Sequence, residues 1–279
     1  MLKHIKQLLE ENLELSTDER DLLPSSYQKI GEIVIINTKK ELWKYDKDIG
    51  RIILDNIPNT RTVCRRTGTI KGQFRLPSLK VIAGSRNTTT IHKENGILYK
   101  IDVSKIMFSK GNLFERKRLI DQVKEGETIV DMFAGIGYFS LGLAKFSGAR
   151  RIYSIEINPE SYHYLWENIK INKLQEKIFP IFGDCLEECM ELGKIADRVI
   201  MGLLPSPKNY LESAANVLKK NGVVHYHSTL GEDESPEKLF SEINSVFNNF
   251  GFKARLLYSR KVKSYSPKVN HFVLDLQVF

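Results

Sequence analysis

Ile129-Val130-Asp131-Met132-Phe133-Ala134-Gly135-Ile136-Gly137 decides the fold of this 279-residue chain. An apolar run ends in a carboxylate and breaks into a Gly-x-Gly turn, and the residues from Tyr138 to Phe146 then read as a helix. Glycines let a backbone turn sharply and come close to a ligand. A strand, a glycine turn and a helix start together make a nucleotide-type pocket.

Outward from this stretch the pattern alternates. Strands are expected at 128–132, 151–155, 178–182, 198–201 and 223–227, with helices at 139–146, 160–172, 186–191 and 211–219 between them. Such alternation implies a parallel sheet with right-handed crossovers. Two last strands, around 253–260 and 271–279, share a short connection and read as a closing antiparallel pair. The fold expected for residues 105–279 is α/β and Rossmann-like, an architecture that resembles that of S-adenosylmethionine (SAM) methyltransferases. Before it, residues 29–104 read as a small α+β domain, with short strands at 32–36, 51–54, 62–66, 79–83 and 89–93. Glu94-Asn95-Gly96 has the chemistry of a tight hairpin turn, returning along Ile97–Val103. Residues 1–28 read as an N-terminal helical arm, with a capping box at Ser16-Thr17-Asp18-Glu19.

Composition excludes several classes. Hydrophobic residues at 42% and charged residues at 27% are ordinary for a folded protein, and no apolar run is long enough to span a membrane. Three scattered cysteines, Cys64, Cys185 and Cys189, give no disulfide framework and imply a reducing, cytoplasmic setting. Cys185 and Cys189 lack a nearby histidine and read as structural, so no metal is expected. The net charge of +8 is concentrated. Between Arg61 and Arg86 there are seven basic residues (Arg61, Arg65, Arg66, Lys71, Arg75, Lys80, Arg86) and no acidic one. Between Gly251 and Asn270 there are six, including Arg260, Lys261 and Lys263, again with no acid. Unopposed clusters of this kind meet polyanions such as RNA, and Arg61, Arg65, Arg66, Lys71, Arg86, Lys261 and Lys263 are the candidate contacts.

The cofactor follows from what the glycine motif is not. Gly135-Ile136-Gly137-Tyr138-Phe139-Ser140 lacks the third glycine of a dinucleotide fingerprint, and no Gly-Lys-Ser/Thr of a P-loop follows. Asp131-x-Phe133-x-Gly135-x-Gly137 instead resembles the first motif of class I SAM enzymes. SAM carries a sulfonium cation and an amino-acid end, which suits an acidic strand end. Glu156 follows the second strand, where a carboxylate accepts from both ribose hydroxyls. Asp184 follows the third, where it can accept from the adenine amino group while the Cys185 amide meets a ring nitrogen. Any one of these acids alone would read as a helix cap. Three at successive strand ends read as a cofactor site, with Phe133 and Ile157 beside them.

Asp131-Met132-Phe133-Ala134-Gly135-Ile136-Gly137-Tyr138-Phe139-Ser140 resembles the signature of the archaeal and eukaryotic tRNA guanine-37 N1-methyltransferases and their close relatives. So do Thr90-Ile91-His92-Lys93-Glu94-Asn95-Gly96 and Lys263-Ser264-Tyr265-Ser266-Pro267. The methyltransferases end their fourth strand in Asn-Leu-Pro, whereas this chain has Gly202-Leu203-Leu204-Pro205-Ser206. That ending is similar to the aminocarboxypropyltransferase branch of the superfamily, which makes wybutosine. The resemblance implies transfer of the 3-amino-3-carboxypropyl group of SAM to C7 of the tricyclic base at tRNA position 37, with release of methylthioadenosine. It implies a tRNA-Phe anticodon loop as partner and a monomer. It also implies Ser109, Lys110 and Arg116 as anchors for the SAM carboxylate, Glu115 as the general base or an orienting acid, and Arg75 as an essential arginine. His225 and His227 read as a polar strand face. Two alternatives stay open: a guanine-37 N1-methyltransferase, and a non-catalytic tRNA-binding protein with a relic SAM fold.

Overall fold

The structure is a computed structural model that describes residues 4–69, 72, 74–109 and 112–279. Its contacts divide the chain into two units, Met1–Phe108 and Ser109–Phe279.

In the first unit, strands β1 (Tyr27–Ile30), β2 (Ile33–Ile36), β3 (Thr62–Arg66) and β4 (Leu79–Gly84) form one sheet in that order. β2 and β3 run parallel, so the chain between them crosses over through helix α3 (Asp46–Asn56). This corrects the strand expected at 51–54. Ile49, Ile52 and Ile53 fall at helical spacing and are buried, so the apolar run belongs to a helix face. The N-terminal helix α1 (Ile5–Asn12) is no free arm, because Ile5, Leu8 and Leu9 pack with Val34, Ile49, Ile53 and Val63 in the unit's core. Helix α2 (Thr17–Asp21) begins with a full capping box between Ser16 and Glu19. Strands β5 (Thr89–Glu94) and β6 (Ile97–Asp102) pair as a hairpin. Its turn residues Asn95 and Gly96 have φ of 48° and 77°, the left-handed pair that a two-residue turn requires.

The second unit starts with helix α4 (Leu113–Gln122) and then alternates. The order is β7 (Thr128–Asp131), α5 (Ser140–Phe146), β8 (Arg151–Glu156), α6 (Pro159–Ile171), β9 (Ile178–Phe182), α7 (Cys185–Leu192), β10 (Ala196–Met201), α8 (Leu211–Val217) and β11 (Leu218–Gly231). Helix α9 (Pro236–Asn249) and the pair β12 (Ala254–Ser266) and β13 (Val269–Val278) follow. Sequence reading missed α9, although Ser235 caps it and Pro236 stands at its first turn. The seven-stranded sheet runs β12-β13-β11-β10-β7-β8-β9, and its fold is Rossmann-like α/β. Strands β7 to β11 are mutually parallel, and β13 lies antiparallel to both β11 and β12. Only β13 therefore opposes the rest. The core on one face gathers Val130, Ile155, Val199, Leu211, Val217, Tyr226, Phe247 and Leu276. From β7 the chain moves outward to β8 and β9, then returns to the other side of β7 with β10. That reversal opens a crevice at the carboxyl ends of β7 and β10, where ligands bind in sheets of this kind.

Candidate functional site

The carboxyl end of β7 leads straight into the glycine turn. Gly135 and Gly137 have φ of +58° and +95°, and a Cβ on Gly135 would stand 2.6 Å from the Tyr138 ring. The turn is tied to β8: the Ala134 amide donates to Ile155 O at 2.9 Å and the Gly135 amide to Glu156 Oε2 at 2.7 Å. The Asn158 amide donates to the other Glu156 oxygen at 2.8 Å. Burial raises the Glu156 carboxyl above its ordinary value, and these amides oppose the shift.

Asp131 is fully buried. Its Oδ2 accepts from Ser140 Oγ at 2.7 Å, and Ser140 in turn accepts from Ser154 Oγ at 2.8 Å. Oδ1 is buried without a hydrogen-bond partner. Burial pushes the carboxyl up to about 6, against the lowering effect of the Ser140 hydroxyl. A desolvated carboxylate oxygen with no donor wants a cation, so this site fits the ammonium of the amino-acid end of SAM. Sequence reasoning found Asp131 but missed Ser140 and Ser154, which orient it.

Asp184 caps α7, accepting from the Leu186 amide at 3.0 Å. One acidic side chain thus caps a helix and still stands at a strand end where a base could bind. Cys185 and Cys189 are buried in the sheet core; burial raises both thiols, Cys189 to about 12. They are packing residues. Phe133 meets the Tyr210 ring edge-on at 5.0 Å, and Ile157 is partly exposed. Gly202 follows β10 directly, and a Cβ there would lie 3.1 Å from Phe139 Cε2. Any larger residue at 202 must move that ring.

A second cluster gathers around Ser109. Arg116, buried on α4, donates from Nη2 to Ser109 O at 3.4 Å, and its guanidinium stands 5.2 Å from the Tyr138 ring centroid. Lys263 on β12 donates to Ser109 Oγ at 2.6 Å. Lys263, a candidate RNA contact by sequence, is half-buried and tied to the same Ser109 whose carbonyl Arg116 holds. Lys110 lies outside the described residues. Glu115 is fully buried with both oxygens held by Arg118, at 2.8 and 2.6 Å. His225 pairs with Asp275 at 2.6 Å and His227 with His271 at 2.9 Å. Among the described residues no group of three or more His, Cys, Asp or Glu side chains could hold a metal ion.

The basic positions of the first unit differ in kind. Arg65 is 2% exposed, forks onto Asp46 at 2.8 and 3.2 Å, and lies 3.7 Å over the Trp43 ring. It is an internal ion pair and no RNA contact, which corrects the sequence reading. Arg61 is held by Glu32 and by the carbonyls of Asn87 and Thr89, and Arg66 by Gln28. Arg86 is exposed, and Lys71 lies outside the described residues. Arg75 adopts a left-handed φ of 53° with Nη2 at 3.9 Å from Met107 Sδ. In the second unit Lys261 is exposed, and Arg260 lies 3.6 Å over the Phe114 ring.

A cavity of about 810 Å³ opens at the other end of the sheet, lined among others by Glu127, Asp197, Arg198, Lys220, Arg255 and Tyr258. Glu127 and Asp197 precede or begin β7 and β10, so this cavity is remote from the acids at the carboxyl ends. No helix among the described residues is long and apolar enough to cross a membrane.

Comparison with known proteins places these features. Residues 90–255 match the family model of the TRM5/TYW2 methyltransferase domain, and residues 5–88 that of the TYW2 N-terminal domain. The chain is 44% identical to the tRNA(Phe) (4-demethylwyosine(37)-C(7)) aminocarboxypropyltransferase of Methanocaldococcus jannaschii, over 89% of this chain and 96% of that protein. It is 38% identical to the tRNA (guanine(37)-N(1))-methyltransferase Trm5b of Pyrococcus abyssi, over 93% of this chain and 76% of that protein. The crystal structure of Pyrococcus horikoshii TYW2 in complex with MeSAdo superposes with a TM-score of 0.85 at 33% identity, covering 99% of this chain and 98% of that one.

Proposed function

The chain belongs to the TRM5/TYW2 family of SAM-dependent tRNA-modifying transferases, and from that membership we propose that it is an aminocarboxypropyltransferase of wybutosine synthesis. It transfers the 3-amino-3-carboxypropyl group of SAM to C7 of 4-demethylwyosine at position 37 of tRNA-Phe. The observation that carries this choice over methylation is Gly202 at the end of β10, where the resembling methyltransferases have asparagine.

SAM supplies an electrophilic γ-carbon: the C7–Cγ bond forms, the Cγ–S bond breaks with its electron pair going to sulfur, methylthioadenosine leaves, and the C7 proton is lost. The protein's own residues decide which carbon faces the base. Asp131, oriented by Ser140 and Ser154, offers its bare oxygen to the ammonium end of the amino acid. Arg116 and Lys263, joined at Ser109, offer two cations to its carboxylate. Glu156 releases the Gly135 amide or shares it while accepting from ribose, and Asp184 accepts from adenine while its other oxygen caps α7. Gly135 and Gly137 let the backbone approach the ligand without side chains.

The RNA is recognised by exposed cations, and among the candidate contacts Arg86 and Lys261 are exposed. We assign the anticodon loop of tRNA-Phe as the target and a monomer as the acting form. Separating the small-molecule products tests the reaction type. Methylthioadenosine formed in step with RNA modification supports the reading; S-adenosylhomocysteine as the co-product replaces it with methylation.

A further inference from the structure

Glu115 sits in the first turn of α4, fully buried, one residue before Arg116. Both of its oxygens are taken by Arg118, from Nε at 2.8 Å and Nη2 at 2.6 Å. The same guanidinium reaches Asp275 on β13, at 2.5 Å from Nη1 and 3.0 Å from Nη2. Gln122, at the end of α4, also donates to Asp275, at 3.2 Å. One planar donor fork thus bridges two carboxylates and fastens the helix to the sheet.

The far side of Asp275 is fixed as firmly. His225 Nδ1 lies 2.6 Å from Asp275 Oδ1, and His225 Nε2 lies 2.6 Å from Arg198 Nη1. A guanidinium only donates, so Nε2 is the acceptor and Nδ1 carries the proton toward Asp275. Arg198 is anchored in turn on Glu127 at 2.9 and 3.1 Å and on the Gln122 carbonyl at 3.0 Å. The linkage runs without a break from α4 across β13 and β11 to β10. The groups facing Asp275 are Arg118, Gln122 and His225; against burial, His225 first and then Arg118 hold its carboxyl well below the usual range. The Arg118 guanidinium is held ionised by the two carboxylates despite burial.

We infer that Glu115 acts in this reaction as a positioning residue. Its carboxylate is a strut that, through Arg118 and Asp275, holds α4 and the adjoining Arg116 in register with the sheet. It does not accept the proton lost from the target base. To do so it would give up two charge-assisted bonds and leave a buried guanidinium half-paired, a loss of the kind that makes broken buried ion pairs strongly destabilising. The residue that aligns the SAM carboxylate, Arg116, depends on this strut for its direction. The inference rests on reading the site as that of a SAM-dependent RNA transferase, whichever carbon of SAM is delivered.

The test compares Glu115→Gln, Arg118→Lys and Asp275→Asn in the full chain. Glu115→Gln keeps the shape and one acceptor for Arg118 but removes the basic carboxylate. SAM affinity is read by calorimetry without turnover, and transfer into tRNA from SAM labelled in its carboxyl carbon or in its methyl group is read from pH 5.5 to 9. A general base is worth about 10²–10⁴ in rate. The strut predicts that Glu115→Gln loses no more than about tenfold in kcat and keeps the wild-type pH profile. It also predicts that all three variants weaken SAM by similar factors, and that Glu115→Gln with Asp275→Asn is no worse than the worse single change. A loss of about 10² or more in kcat for Glu115→Gln, with a limb of the pH profile gone while Arg118→Lys and Asp275→Asn stay near wild type, overturns it. Failure of the aminocarboxypropyl reading is separately visible in the wild-type protein, as methyl label in RNA, and leaves this comparison intact.

Discussion

The carboxylate of Glu156 holds the backbone amide of Gly135 at 2.7 Å, so the end of the second parallel strand fastens the glycine turn of the first. Asn158 holds the other oxygen at 2.8 Å. One side chain therefore shapes the turn and offers acceptors to ribose. Glu156→Ala is expected to raise the SAM Kd by about 10–100-fold, the equivalent of one or two hydrogen bonds to a charged group. Calorimetry of SAM binding checks this, and the same variant should melt at a lower temperature even without SAM.

Gly135 and Gly126 both have positive φ, +58° and +82°, but only Gly135 is crowded, its Cβ position lying 2.6 Å from Tyr138. Gly126→Ala should cost about 1 kcal/mol of stability from backbone strain alone and leave SAM affinity unchanged. Gly135→Ala should cost more, displace Tyr138 and weaken SAM at least tenfold, on the scale of about 1.4 kcal/mol per decade. Thermal melts and SAM titrations of the two variants separate strain from crowding.

Asp184 combines a cap, on the Leu186 amide at 3.0 Å, with an acid at a strand end. Asp184→Ser keeps a good cap and removes the carboxylate, so SAM should weaken with little change in Tm. Asp184→Ala removes both, with an added cost of about 1 kcal/mol in stability. Equal melting losses in both variants would contradict the separation.

His227 and His271 are buried and hydrogen-bonded to each other at 2.9 Å, and burial lowers each to about 3. The folded chain thus resists protonating them, while the unfolded chain protonates them near their ordinary value of about 6.5. Stability is full above that value and falls as the pH drops from 6.5 toward 3, by up to about 1.4 kcal/mol per pH unit for each ring. Asp131 works in the opposite sense. Its carboxyl is raised to about 6, so its neutral form favours the fold below about pH 4 and that contribution is lost as the pH rises through 6. Denaturation from pH 7 to 4 should show falling stability in the wild type and a shallower fall in His227→Leu.

SAM affinity should rise with pH across about 6, because a cationic ligand favours the ionised Asp131. Binding should then release protons below that pH, measurable by calorimetry in buffers of different ionisation enthalpy. Asp131→Asn should bind SAM weakly at every pH and lose the slope.

The sheet and its three acids were legible because each acid closes a strand whose apolar run and following helix are local patterns. Residues 51–54 were misread as a strand because Ile52 and Ile53 suit either period, and Ile49 one turn earlier decides for a helix. Arg65 and Lys263 were read as RNA contacts from charge alone. Their partners, Asp46 and Ser109, lie 19 and 154 residues away, so no local pattern carries the pairing. Glu115 was visible by resemblance, but its commitment to Arg118 and Asp275 joins α4 to β13 across 157 residues of chain. Gly202 was legible as a departure from a motif; that Phe139 crowds the space beside it was not.

The central claim is that the aminocarboxypropyl arm of SAM, and not its methyl group, reaches the RNA. The direct measurement incubates the full chain with tRNA-Phe carrying 4-demethylwyosine and with SAM labelled either in its carboxyl carbon or in its methyl group. The account predicts carboxyl label in the RNA and methyl label only in released methylthioadenosine. Methyl label in the RNA, with carboxyl label left in solution, would contradict it.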